Sequence, residues 1–172
     1  MKKILPVFIL LLLPASLLAQ DTYYYHTVHS SSLAATYGRT YKGQYAYQLS
    51  HLRQLKLSGL YVFDEYVQAD GNRVKADVFN LGVQFQYNLL HLGSNLFFSI
   101  NVGAGAYQIR AGDLIGVKFK ETKVNFLGGA QAEYYLKKNR LAILVDYDAL
   151  YFPFSKLYQV LHVPTAGLGI FF

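Results

Sequence analysis

The feature that most constrains what this chain can fold into is an alternation of apolar and polar residues with period two. Between Val78 and Leu89, one side carries Phe79, Leu81, Val83, Phe85, Tyr87 and Leu89, and the other Asn80, Gly82, Gln84, Gln86 and Asn88. Successive side chains of a strand point to opposite faces, whereas a helix would mix the two sets. The pattern returns downstream. Leu96, Phe98, Ile100, Val102, Ala104 and Ala106 oppose Ser99, Asn101, Gly103 and Gly105. Val124, Phe126, Ala130, Ala132, Tyr134 and Leu136 oppose Asn125, Gly129, Gln131 and Glu133. Leu141, Ile143, Val145, Tyr147 and Ala149 oppose Asp146 and Asp148. Shorter runs precede these, with Leu33, Ala35 and Tyr37, then Tyr45, Tyr47 and Leu49, then Leu55, Leu57, Tyr61 and Phe63. A last run closes the sequence with Leu168, Ile170 and Phe172 around Gly167 and Gly169. These predict eight strands, over approximately 30–40, 43–51, 54–68, 73–88, 95–110, 121–136, 140–150 and 159–172.

The links between strands alternate in length. Those near His51 to Gln54, Leu90 to Asn95 and Lys137 to Asn139 are short, while Ala111 to Lys120 and Leu150 to Tyr158 are longer. Short turns at one end and longer loops at the other are typical of up-and-down barrels in outer membranes. A soluble barrel would share the alternation, so the polar face decides between the two. A water-exposed face carries many Lys, Glu and Asp; here it is mainly Gly, Asn, Gln and Ser, which suit the narrow interior of an eight-stranded barrel. The expected fold is therefore all-β: an eight-stranded antiparallel up-and-down transmembrane β-barrel of the outer membrane. Its apolar face meets lipid, with Tyr45, Tyr87 and Tyr134 available for interfacial girdles, and closure pairs every backbone group that lipid cannot satisfy.

The start of the chain reads differently. Lys2 and Lys3 precede a mostly apolar run from Ile4 to Ala19, interrupted by Pro6 and Pro14. That run is shorter than the roughly 20 apolar residues of a spanning helix, and small Ala19 before Gln20 suits cleavage. Residues 1–19 are expected to be a signal peptide and 20–172 one barrel domain, exported to the cell outer membrane. Of 16 basic residues, removing Lys2 and Lys3 leaves 14 against 10 acidic, a mature charge of +4. This weak, scattered excess, clustered only at Lys137, Lys138 and Arg140, gives direct nucleic-acid binding little support. The absence of cysteine excludes disulfides, thiolate metal sites, a Cys nucleophile and a lipoprotein anchor. A hydrophobic content of 53% against 15% charged residues excludes a disordered chain.

Candidate functional residues fall into three groups. Thr165, Gly167, Ile170 and Phe172 form a terminal pattern that resembles the signal of bacterial outer-membrane barrels, read by the barrel assembly machinery through strand pairing. Glu133, Asp146 and Asp148 point into the lumen, where charges must be paired or hydrated, and are expected to form a charged network. The functional alternative, a proton or cation path, is disfavoured because eight strands leave little open pore. The remaining candidates are histidines. His26 and His29 form an H-x-x-H pair without the further ligands that zinc requires. His29 with Ser31 has the H-x-S spacing of outer-membrane lipid A deacylases, which need the pair near the outer leaflet with an acidic orienter, but here it lies just before the first strand, where the chain is expected to be periplasmic. His51, His91 and His162 are isolated. No catalytic, cofactor or metal residues are expected. Gly103, Gly105, Gly128 and Gly129 resemble no phosphate loop and are expected to give curvature and room for large neighbours.

Three stretches carry a resemblance: Leu96 to Tyr107, Phe126 to Leu136 and His162 to Phe172, with a weaker echo at Gly43 to Tyr47. They look like corresponding segments of the conjugative-transposon protein TraO family, over roughly the C-terminal half of the chain. Asp146-Tyr147-Asp148 stands where that family would have an Arg- and Glu-containing run. The resemblance implies a non-enzymatic cell-envelope component of a conjugative DNA transfer apparatus. Its partners would be outer-membrane lipid, the assembly machinery and other conjugation proteins. The competing expectations are a small barrel for adhesion or membrane integrity, and an outer-membrane lipid enzyme.

Overall fold

The computed structural model describes residues 29–36, 40–50, 52–69, 72–93, 95–111, 119–137 and 141–171. They form β1 (His29–Thr36), β2 (Thr40–Ser50), β3 (Arg53–Ala69), β4 (Asn72–Leu92), β5 (Leu96–Ala111), β6 (Phe119–Lys137), β7 (Leu141–Tyr151) and β8 (Val160–Phe171). From β2 to β8 each strand pairs antiparallel with the next, giving a seven-strand up-and-down sheet. The sheet curls far enough for Lys42 on β2 to reach Asp148 on β7, its Nζ lying 2.5 Å from Oδ2. The curled sheet thus has an inner and an outer face.

The alternation decides which residues go where. Leu81, Val83, Val102, Phe126 and Val145 are exposed on the outer face, while Asn80, Gln84, Gln86, Asn101, Asn125 and Gln131 are buried on the inner one. Two expectations need correction. The first two strands were expected over 30–40 and 43–51, yet β1 ends at Thr36 and β2 already begins at Thr40. Lys42 and Gly43 thin the apolar signal where β2 starts, although Tyr41 is on its outer face. Leu89, assigned outward with Phe85 and Tyr87, is only half-buried, and Leu90 and Leu92 take the outer positions instead. The register of β4 against β5 shifts between Asn88 and Leu90, and one extra residue in a strand reverses the phase of everything beyond it.

Glycines allow the tight curl. A Cβ on Gly103 would lie 2.1 Å from the Val83 carbonyl oxygen, and one on Gly105 2.5 Å from that of Leu81. Only a residue without a side chain lets β4 and β5 approach in this way. Gly82 is the position that makes room for a neighbour, since its Cβ would meet Leu127 Cδ1 at 2.2 Å. Gly128 has no such contact, its nearest atom being the Asn101 carbonyl oxygen at 4.0 Å, so the expected role does not apply to it.

The inner face is not polar throughout. At the short-turn end, Phe97, Tyr135, Ala142 and Leu144 make a small apolar cluster. At the long-loop end, Leu60, Val62, Val78, Tyr107, Ile109, Leu150, Phe152, Leu161 and Val163 belong to a larger one. Polar side chains occupy the level between. The strands are also unequal: β3 and β4 have 17 and 21 residues and β6 has 19, whereas β2 and β7 have 11 each.

Candidate functional site in the sheet interior

Glu133, Asp146 and Asp148, singled out from the sequence, are buried together at the middle level. Two lysines that the sequence reading did not single out join them. Lys42 Nζ lies 2.5 Å from Asp148 Oδ2 and 3.5 Å from Asp146 Oδ2. Lys56 Nζ donates to Gln131 Oε1, and Gln131 Nε2 donates to Glu133 Oε1 at 3.0 Å. Glu133 also accepts from Gln86 Nε2 at 3.2 Å and from the Tyr135 hydroxyl at 3.1 Å. Asp148 Oδ1 accepts from Gln84 Nε2 at 3.4 Å. Gln131 thus joins Lys56 to Glu133 while Lys42 faces Asp148 and Asp146 directly, and the cluster stands at −1 if all five groups are ionised. The signal for the lysines was available: even-numbered positions of β2 and β3 lie on the inner face whenever Tyr45 and Leu57 lie on the outer one.

Above this level the β7–β8 loop folds inward as a plug. The Phe152 ring meets that of Tyr107 edge-on, with centroids 4.6 Å apart and planes at 71°. The Tyr107 hydroxyl donates to Glu121 Oε1 at 2.5 Å, while Lys123 Nζ lies 3.3 Å from Glu121 Oε2 and donates to the Phe154 carbonyl. The turn is fastened locally: Ser155 Oγ accepts from the backbone N–H groups of Leu157 and Tyr158 at 3.1 and 3.2 Å. Burial holds the Tyr158 phenol above its ordinary range, and the Glu65 carboxylate acts in the same direction. None of these plug residues was singled out from the sequence, because a loop that folds back has no period to read.

The other candidates are dispersed. His162 Nδ1 lies 2.7 Å from the Tyr147 hydroxyl on the outer face, and the His91 ring lies beside Phe97 at 6.2 Å. His29 and Ser31 are the first and third residues of β1, whereas they were expected to precede the first strand. His26, His51 and the segment 1–19 lie outside the described residues. No group of three or more His, Cys, Asp or Glu among the described residues could hold a metal ion. Of the terminal pattern, Thr165 is buried opposite Asp146, Gly167 is opposite Leu144 and Ile170 is exposed on the outer face, while Phe172 lies outside the described residues. Among the described residues the charged middle thus lies between two apolar clusters.

No family model and no curated protein matches the sequence. Solved structures do. The chain is similar to the N-terminal β-barrel domain of Pseudomonas aeruginosa OprF, at 16% identity and a TM-score of 0.55, over 84% of this chain and 95% of that one. It is similar to Neisserial surface protein A at 12% identity and a TM-score of 0.59, over 84% and 93%. It is likewise similar to the Yersinia pestis outer membrane protein Ail in a phospholipid nanodisc, at 16% identity and a TM-score of 0.52, over 84% and 97%. At these identities the likeness is one of fold. The chain has the all-β, antiparallel up-and-down architecture of small outer-membrane barrel proteins.

Proposed function

We propose that the chain spans the outer membrane as a closed eight-stranded barrel and works there as a fixed, non-enzymatic and non-conducting part of the cell envelope. The observation that carries this reading is the pairing of an apolar outer face with an interior that has a buried apolar cluster toward each end. The register of β1 supports closure, since its residues Ser30 to Ala35 match Phe171 to Ala166 of β8 while its other edge matches β2. A barrel without edges also leaves no backbone group facing hydrocarbon unpaired. The test is heat-modifiable migration of envelope-purified protein on gels, together with conductance across a planar bilayer. Distinct folded and unfolded bands with no channel current are expected. A single band would remove the barrel, and steady conductance would remove the sealed interior.

Within the envelope, we propose, from the resemblance to the TraO family alone, that the protein serves the apparatus of conjugative DNA transfer. Thr165, Gly167, Ile170 and Phe172 are the residues offered to the assembly machinery. A strain lacking the gene should lose transfer while growth and detergent resistance stay normal. The second reading, a general barrel for adhesion or membrane integrity, draws on the tall β3–β4 hairpin, which suits contact outside the cell. Normal transfer with detergent sensitivity in the null strain would select it.

A further inference from the structure

The outer face changes character along one boundary. On β4, β5 and β6 its apolar series ends at Phe79, Ala106 and Val124. The next outer positions toward the long-loop end are Asp77 and Lys75 on β4, Gln108 and Arg110 on β5, and Thr122 and Lys120 on β6. At this boundary Tyr61, Asp77, Phe79, Gln108 and Arg110 line an open groove of about 380 Å³. Its lower wall is aromatic and its upper rim polar.

Just beyond the Arg110 edge of the groove, toward β6, lies an electrostatic imbalance. Arg110 and Lys120 stand directly opposite each other on β5 and β6, and both are exposed. Like charges in that position repel, and among the described residues neither is ion-paired with a carboxylate. Asp77 is opposite Arg110 on the other side but engages β3 instead: its Oδ2 accepts from the Tyr61 hydroxyl and its Oδ1 from the Asp64 N–H, both at 3.2 Å. Arg110 Nε donates to Gln108 Oε1 at 2.7 Å, which fixes the guanidinium and leaves its terminal amino groups to donate elsewhere. Lys75 is a useful contrast, because it is paired with Asp64 at 3.3 Å.

The geometry points to this groove as a seat for a phosphorylated lipid headgroup of the outer leaflet. A phosphate lies between Arg110 and Lys120, away from Asp77, and the rest of the headgroup covers Tyr61 and Phe79. Two cations, one of them a guanidinium fork, match a phosphate, and basic residues at a membrane surface attract anionic lipid. A lipid is favoured over a free anion by position, since the groove opens immediately above Leu81, Val83 and Ala104, so a bound headgroup keeps its chains in the leaflet. The inference rests on the membrane-barrel reading.

The test uses the full mature chain folded in a nonionic detergent, with native mass spectrometry counting retained lipid. A diphosphorylated glycolipid, the same lipid after phosphatase treatment, and inorganic phosphate are each titrated. The phosphorylated lipid should bind, and R110Q and K120Q should each raise its half-saturating concentration about fivefold, with the double variant weaker still. K75Q, whose lysine is already paired, should bind as the unsubstituted protein does. Unchanged binding by the R110Q/K120Q double variant, or equal binding of the dephosphorylated lipid, overturns the site. Displacement by equimolar inorganic phosphate overturns the choice of a lipid. Heat-modifiable migration is followed on every sample: its absence in the unsubstituted protein defeats the barrel reading itself, and its retention in the variants shows that any lost binding belongs to the groove.

Discussion

The middle of the interior and its mouth are built on opposite principles. The middle holds Lys42, Lys56, Glu133, Asp146 and Asp148, all buried, with Gln131 joining Lys56 to Glu133, Gln86 donating to Glu133, and Gln84 donating to Asp148 beside Lys42. The mouth is closed by Tyr107, Ile109, Phe152 and their apolar neighbours, with Glu121 and Lys123 fastening the loop from the side. A charge network is intolerant of losing one partner, since what remains is an uncompensated buried charge. An apolar plug loses only area and packing when one side chain is trimmed. The same wall therefore contains one region where identity matters and one where volume matters.

The largest effect is expected from Lys42→Met, which strands Asp146 and Asp148 and should cost about 3–5 kcal/mol in urea unfolding from vesicles. Adding Asp148→Asn should recover part of that loss, and failure to recover any would remove the charge argument. Phe152→Ala in the mouth should cost about 3 kcal/mol, with Phe152→Leu restoring most of it because volume is what counts. If the leucine variant is as unstable as the alanine one, the mouth depends on ring geometry and the contrast fails. On the outer face, Val83→Arg should cost about 2–4 kcal/mol, since the charge enters hydrocarbon near mid-strand. A negligible cost there would show that this face meets water. The smallest effect is expected from Lys123→Gln, at most about 1 kcal/mol for a partly exposed pair, read by the same unfolding curves.

The strands, their antiparallel order and the two faces were legible because period two repeats over long stretches, most cleanly in Phe79 to Tyr87 and Phe98 to Ala106. What escaped has physical causes. The bulge after Asn88 depends on how β4 meets β5, which one strand cannot announce. The lysines in the charged middle lay on legible inner positions but in β2 and β3, where Gly43 and Gly59 stand at outer positions and dilute the pattern. The apolar mouth was not foreseen, because Leu60, Val62 and Val78 stand next to outward aromatics, and apolar residues on both faces cancel the alternation. Phe152 was invisible because its position comes from a loop turning back. The groove at Arg110 needed the register of three strands at once.

The unequal strands have a consequence of their own. At about 3.3 Å per residue and a tilt near 40°, the 11 residues of β7 rise roughly 28 Å, close to the height of an apolar band, while the 21 of β4 rise roughly 53 Å. The extra length lies beyond the long-loop boundary, where bilayer thickness no longer dictates composition. Under the proposed insertion, anchorage would fall to the lower stretches of these strands and any contact outside the membrane to the upper ones. Drift in the upper β3–β4 hairpin can give related chains new contact specificity while the lower halves stay under the constraints of insertion, so one scaffold can serve unlike partners with its membrane part unchanged.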